Sequence, residues 1–227
     1  MPPGLKATFW MLGTLTSLAL MAIAGRELSA ELSTLQILFF RSAIGLVIIL
    51  VVIWRAGRHH LATLQPGLQI LRNVAHYIGQ FGWFYGISLL PLAQVFALEF
   101  TMPVWATLLA PLLLKEQITP RRALVVAIGF AGILIVVRPG LVTISPAALA
   151  VLMAAVGYAF AYTLTKKLTR TDTALAIVFY MCLVQLPLGL IPSLFDWVNP
   201  SAAMWPWIMA VSITGLSAHY CLARAFA

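Results

Sequence analysis

Acidic residues are almost missing from this chain: six Asp and Glu stand against fourteen Lys and Arg in 227 residues. Charged residues of both signs make up 9% of it and hydrophobic residues 62%, whereas a soluble domain carries roughly 25% charged residues. A soluble fold of this size has too much surface for its volume to hide that much apolar area, so a water-soluble globular domain is excluded. Cysteine is scarce as well. Cys182 and Cys221 both fall within apolar runs, which argues against a disulfide framework and gives no metal-ligand spacing. There is no G-x-x-x-x-G-K-[ST] phosphate loop, no H-E-x-x-H helix, no nucleophile elbow and no paired-cysteine motif. Direct ATP driving and the common hydrolytic chemistries therefore find no support, and no cofactor is expected. The net charge of +8 is scattered in short clusters between long apolar runs. That is the pattern of membrane loops and not of a nucleic-acid surface, so no nucleic-acid partner is expected.

What is present is a succession of apolar runs. A helix crossing about 30 Å of hydrocarbon needs roughly 20 residues, and only helices satisfy their own backbone there. The runs predict eight spans, near 7–25, 33–54, 67–89, 92–114, 122–138, 147–165, 173–195 and 204–225. The first run, with Lys6 before it and Ala22-Ile23-Ala24 near its end, superficially resembles a cleavable signal peptide. It is long for that role and seven more runs follow, so an uncleaved first span is the simpler reading. The joints are short and punctuated by proline and glycine, and none could hold a soluble domain. Alternating the loops places Lys6, Arg55, Arg58, Lys115, Arg121, Arg122, Lys166, Lys167, Arg170 and Arg224 on one side, and Arg26 and Arg138 on the other. This bias puts the amino terminus in the cytoplasm of a cell (inner) membrane.

The chain also carries traces of an internal repeat. Thr34–Arg41 (TLQILFFR) resembles Ala174–Met181 (ALAIVFYM). The same offset aligns Arg26-Glu27 with Lys166-Lys167, and near the ends Phe84–Ser88 aligns loosely with Tyr220–Arg224 at an offset four residues shorter. Spans one to three thus look like spans six to eight. A unit of five spans is odd-numbered, so its second copy sits upside down, as in secondary transporters with inverted repeats. The expected fold class is all-α: a polytopic transmembrane helical bundle with an inverted repeat of five-helix units. The first repeat would occupy 1–140 and the second 141–227, truncated after its third helix; a natural eight-span protein is the alternative.

Four segments then carry a family resemblance: Tyr85–Ala93 (YGISLLPLA), Phe100–Trp105 (FTMPVW), Leu112–Thr119 (LLLKEQIT) and Gly129–Leu134 (GFAGIL). With them the chain resembles the EamA-like branch of the drug/metabolite transporter superfamily, most closely from Phe84 to Pro139. One departure stands out: the family's Gly-Glu position reads Lys115-Glu116. The resemblance implies a ten-span carrier built from two inverted five-span repeats, and it implies a mechanism type without a substrate.

Ionisable groups inside spans are the most informative positions, because an Arg or Asp at a span centre costs about 2.5–3.5 kcal/mol and so faces protein or water. Glu99 lies near mid-depth in span four. It reads as a substrate or proton site, or as half of a structural ion pair. Arg41, at equal depth in span two, is its natural partner; it could also bind an anionic substrate group or snorkel to the headgroups. In span three, Arg72, His76 and Gln80 stack on one helical face, flanked at the same spacing by Asn73 and Tyr77. Arg72, near the cytoplasmic end, is expected to snorkel, and His76 and Gln80 to line a cavity or bond neighbouring helices. Gln94, Gln185 and His219 read as satisfied interhelical groups. Trp83, Tyr85, Trp105, Tyr158 and Tyr162 could line an aromatic pocket, while Trp10, Trp54, Trp197, Trp205 and Trp207 read as interface residues. Gly13, Gly79, Gly82, Gly129, Gly132 and Gly157 would allow close helix approach.

The expected function is a secondary carrier of a small metabolite or drug-like solute. Its candidate solute contacts are Glu99, Arg41, His76, Gln80, Tyr77 and Trp105. Expected partners are the solute, the lipid bilayer, a coupling proton or ion, and a second copy in a homodimer. The alternatives are a membrane-embedded enzyme acting on lipid substrates, which the basic, acid-poor loops disfavour, and a non-transporting membrane subunit.

Overall fold

A computed structural model describes residues 3–137 and 145–226. Arg138, Pro139 and the expected repeat boundary at 140/141 lie outside them, as do the side chains of Arg121 and Arg122. Nine α-helices occur among the described residues. They are α1 (Pro3–Leu28), α2 (Thr34–Ala56), α3 (Pro66–Leu89), α4 (Leu92–Glu99), α5 (Met102–Leu114), α6 (Pro120–Val137), α7 (Pro146–Leu168), α8 (Ala174–Ser193) and α9 (Trp205–Phe226). The sequence sets their starts. Proline opens α3, α6 and α7, where a missing N–H costs nothing. Ser33 caps α2 by accepting from Gln36 N, and Thr173 caps α8 by accepting from Ala176 N.

By length and composition, five helical segments could cross a bilayer: Gly4–Leu28, Thr34–Ala56, Leu92–Leu114, Pro146–Leu168 and Ala174–Asp196. The other three expected spans are helical as α3, α6 and α9. Of these, α3 and α9 fall short of that description because of the polar residues they turn inward. In α3, Gln69, Arg72, Asn73, His76 and Gln80 are buried, while Ile70, Leu71, Ile78, Phe81 and Leu89 are exposed. In α9, Ser212 and His219 are buried, while Met209 and Ile213 are exposed. Polar inside and apolar outside is the arrangement a lipid solvent selects and water rejects.

The fourth expected span is not one helix. Pro103 has no N–H to give the carbonyl of Glu99, and its ring crowds that oxygen. Accordingly α4 ends at Glu99 and α5 begins at Met102. At the far end of α5, Lys115 adopts a left-handed conformation, φ 57°, at the position where the family pattern has glycine. Glycine takes that conformation without a Cβ clash. Lys115→Gly is therefore expected to stabilise the protein, by about 0.5–1 kcal/mol after the added freedom of the unfolded chain is offset. A thermal unfolding midpoint in detergent that fell would contradict this.

The chain divides into two compact units, Met1–Val74 with Thr165–Ala227, and Ala75–Leu164. In the first unit α1 lies along α9 and α2 along α8. Thr14 Oγ1 donates to the Ala218 carbonyl at 3.4 Å. The Trp10 ring meets Tyr220 edge-on at 5.9 Å and lies 5.4 Å from the Arg224 guanidinium. Between α2 and α8, a Cβ on Gly189 would lie 2.9 Å from Phe39 N, so the backbones themselves are in contact.

Two turns in this unit are built alike. After α1, Ser29 N donates to Gly25 O, Glu31 N to Leu28 O and Leu32 N to Leu28 O. After α7, Thr169 N donates to Thr165 O, Thr171 N to Leu168 O and Asp172 N to Leu168 O. Ser29 Oγ and Thr169 Oγ1 bond the carbonyls of Arg26 and Lys166 in the same way. The offset between these turns is the one that separates Thr34 from Ala174.

In the second unit the buried part of α3 packs on α7 through small residues. A Cβ on Gly82 would lie 2.5 Å from the Ala150 carbonyl oxygen, and one on Gly157 3.1 Å from that of Ala75. Because the obstacle at Gly82 is backbone, Gly82→Ala is expected to destabilise by about 1–3 kcal/mol, read as a lower unfolding midpoint. Gly129 and Gly132, expected in close helix contact, instead face open space. No other helix of the described residues covers that side of α6. Beside it, α5 and α6 leave an apolar groove lined by Val104, Leu108, Ile118 and Phe130.

Candidate functional site

Arg41, the deepest charge on α2, is 3% exposed. Its Nη2 donates to Gln185 Oε1 on α8 at 2.9 Å, and Gln185 Nε2 donates to the main-chain oxygen of Asn73 at 3.2 Å. Arg72 continues the chain: its Nη1 donates to Asn73 Oδ1 at 2.5 Å and its Nε to Thr165 Oγ1 at 3.0 Å. The expected snorkelling of Arg72 does not occur. Its side chain is fully buried, because acceptors on its own helix and on α7 stand within reach and replace the headgroup water. Cys182 and His219 lie within Coulombic reach of both guanidinium groups. The interhelical role expected of Gln185 is the one observed. Gln94, by contrast, is exposed on α4.

The second unit holds the remaining candidates. Glu99 closes α4 at the helix break, part-buried, and accepts from Trp83 Nε1 at 2.8 Å. The indole is itself buried and meets Phe84 and Phe96 edge-on. A carboxylate at a helix C-terminus faces the partial negative charge of the last carbonyls, so local helix stability does not explain its presence. His76 and Gln80 are both buried on α3. The His76 ring lies 5.4 Å from Tyr158 and 6.1 Å from Tyr162, and those two rings stack on each other at 5.7 Å. Tyr77, beside His76, is half-buried. Trp105 on α5 is 39% exposed, and Tyr85 stacks on Phe81. The expected aromatic group thus divides into a Trp83 cluster, a Tyr158–Tyr162 stack at His76, and outward rings.

Sequence reasoning named Arg41 and Glu99 as partners of each other; the structure gives each a neutral partner within its own unit. Trp83 was legible as a ring but not as the Glu99 donor. Its spacing of three from Gln80 puts it on the same polar stripe, and that signal could have found it. Asn73 was seen as a flank of the stripe, but nothing in the sequence marked it as the junction between two arginines. Among the described residues no three His, Cys, Asp or Glu side chains gather closely enough to hold a metal ion.

Buried cations and amides thus stand among apolar helices in the first unit, and a part-buried carboxylate in the second. Comparisons with known proteins identify the family. The profile of the EamA-like transporter family matches residues 5–138. The chain is 24% identical to the S-adenosylmethionine uptake transporter of Rickettsia prowazekii over 98% of its own length and 76% of the relative's. It is 28% identical to a riboflavin transporter of Vibrio cholerae, over 98% and 76%. It is 31% identical to a pseudopaline exporter of Pseudomonas aeruginosa, over 88% and 71%. The family match, the inward-turned polar groups and the apolar exterior lead to one conclusion: the chain belongs to the EamA-like transporter family and is a multi-pass α-helical membrane transporter of small metabolites.

Proposed function

We propose that the protein is a secondary carrier working by alternating access between two inverted repeats, and that it performs no enzymatic chemistry on its solute. The observation that carries this reading is the turn built twice, after α1 and after α7, at the offset of the sequence repeat. With α1, α2 and α3 as counterparts of α7, α8 and α9, the packing of α1 on α9 is the counterpart of that of α7 on α3. The packing of α2 on α8 is its own counterpart. Inverted repeats paired in this way give a carrier two equivalent conformations facing opposite sides.

Each unit supplies proposed solute contacts of its own: Arg41 in the first, and Glu99, His76, Gln80, Tyr77 and Trp105 in the second. Glu99 is the proposed site of a coupling proton or ion. The amino terminus is proposed to be cytoplasmic, in the cell (inner) membrane. Hydrogen bonds between loops support the alternation behind that assignment. Thr63 and Gln69 bond Asp172, and Gln65 Nε2 donates to Thr171 Oγ1 at 2.9 Å, joining two loops assigned to the inner side. Ser201 Oγ donates to Glu31 Oε2, and Gln36 Nε2 to Val198 O, both at 2.8 Å, joining two assigned to the outer side. A homodimer is part of the same proposal.

The relatives are named for solutes of different chemistry and for both uptake and export, so the test offers more than one. The protein in proteoliposomes is given S-adenosylmethionine and riboflavin, with and without an imposed pH gradient. At least one should accumulate several-fold over protein-free vesicles, and faster with the gradient. Permeability equal to that of protein-free vesicles for both, and for a bacterial metabolite extract, would sink the carrier reading.

A further inference from the structure

In the first unit α2 and α8 run antiparallel and are tied together at both ends. Near their middles they touch: a Cβ on Gly45 would lie 3.0 Å from Cys182 Sγ. At one end the turn after α1 meets the loop after α8. There the hydroxyl and the main-chain N–H of Ser201 both donate to the Glu31 carboxylate, the hydroxyl at 2.8 Å. At the other end the turn after α7 meets the segment between α2 and the first turn of α3. There Thr63 and Gln69 donate to Asp172, and Gln65 Nε2 donates to Thr171 Oγ1 at 2.9 Å. Each tie joins a turn of one proposed repeat to a segment of the other. Such bonds are the ones that rocking repeats must break, because rocking about a central contact parts one end as it closes the other.

The two ties share a backbone and differ in strength. Leu32 N donates to Leu28 O and Asp172 N to Leu168 O, and these two residues are 3% and 6% exposed. The acid sits differently. Asp172 is buried and accepts at both oxygens, so opening its tie strands the buried Gln69 amide without its acceptor. Glu31 is half-buried and Ser201 exposed, so water takes up donor and acceptor as they part. Apolar contacts do not even out the difference. At the Glu31 end Trp197 leans on Phe39 and Phe40 but is itself exposed. At the Asp172 end Leu61 packs on the buried cluster of Ile49, Ile53, Val178 and Met181, and Tyr180 holds its carbonyl.

We propose that the two ties are the gates of the carrier, opened in alternation, and that the Glu31 gate opens the more readily in the solute-free protein. Solute is then received first at the Glu31 end, which is the end assigned above to the outer side. The inference rests on the carrier reading and deepens it by naming the contacts that move and the end that opens first.

Amide hydrogen exchange of the wild-type protein in detergent tests the bias, since exchange reads local opening. Leu32 and Asp172 make the same main-chain bond at similar burial, so their rates compare the two gates directly. Corrected for neighbouring residue types, Leu32 should exchange at least tenfold faster. Equal rates, or a faster Asp172, would overturn the inference. Cross-linking tests whether the ties must open. One variant combines Gln65→Cys with Thr171→Cys, which leaves the bonds of Thr63 and Gln69 to Asp172 in place; the other combines Glu31→Cys with Ser201→Cys. Each pair is joined by a short, reducible bis-methanethiosulfonate, with wild-type protein treated alike as the control for Cys182 and Cys221. Proteoliposomes are offered a bacterial small-metabolite extract, and accumulated solutes are measured by mass. Joining either pair should lower accumulation at least tenfold, and dithiothreitol should restore it. A merely structural role predicts unchanged accumulation with either pair joined, and that result would overturn the inference. The exchange comparison needs no substitution and decides the matter even where a cysteine pair does not fold. Failure of the wild-type protein to accumulate anything would instead defeat the carrier reading, and the inference with it.

Discussion

Glu99→Gln is expected to lower solute flux in proteoliposomes by about tenfold to a hundredfold, while the unfolding midpoint in detergent stays within a few degrees of wild type. The magnitude is that of a hydrogen bond to a charged group, about 1.5–3 kcal/mol, when the charge itself is the working part. The fold should survive because glutamine keeps an oxygen for Trp83 Nε1, the contact observed at 2.8 Å. The carboxylate also stands at the C-terminal end of α4, where the helix dipole disfavours negative charge, so removing the charge brings no local penalty. Flux at the wild-type rate, with or without a pH gradient, would remove Glu99 from the mechanism. Trp83→Phe separates orientation from charge: it withdraws the donor, leaves the carboxylate, and should reduce flux less than Glu99→Gln.

Asp172→Ala is expected to destabilise the protein by about 3 kcal/mol, read as a lower unfolding midpoint in detergent. Asp172 is 6% exposed and lies in the turn between α7 and α8. Its Oδ2 accepts from Thr63 Oγ1 and from Gln69 Nε2 at 2.8 Å, and its Oδ1 from Thr171 Oγ1 at 3.0 Å. These bonds pin the segment before α3 to the start of α8. Nearby, His60 Nδ1 lies 3.2 Å from Thr173 Oγ1, and Tyr180 donates to the Leu61 carbonyl at 3.0 Å. Removing the acid strands the buried Gln69 amide and frees the Thr63 hydroxyl together. Asp172→Asn should lose about half as much, since one oxygen remains. An alanine variant as stable as wild type would show that the pin carries no folding energy. The corresponding turn after α1 holds buried Leu32 in place of the acid, so the two copies share a backbone and differ in the chemistry that anchors it.

Much of this architecture was legible in the sequence. Apolar runs are long because the bilayer core is thick, and helices follow because a backbone in lipid must satisfy itself; all eight expected segments are helical among the described residues. The break in span four was legible as Pro103, since a proline acts on the carbonyl four residues back wherever it sits. The capping positions Ser33 and Thr173, and the glycine-preferring position occupied by Lys115, are likewise local. The sites were legible as residue types only. Arg72 read as a snorkelling residue near a span end, and burial reversed that because α7 brought Thr165 against it. Gly129 and Gly132 read as packing glycines, yet the same residue type packs at Gly82 and not on α6.

The sequence by itself therefore determined the solvent, the helices, their punctuation and the family, because each of these depends on one segment meeting lipid or on its own backbone. Which polar groups meet was decided only by tertiary structure. Arg41 and Gln185 lie far apart along the chain, as do Arg72 and Thr165, and a guanidinium will take any acceptor that packing presents. Helix spacing fixes which face a residue occupies; only the packed neighbours decide what that face finds.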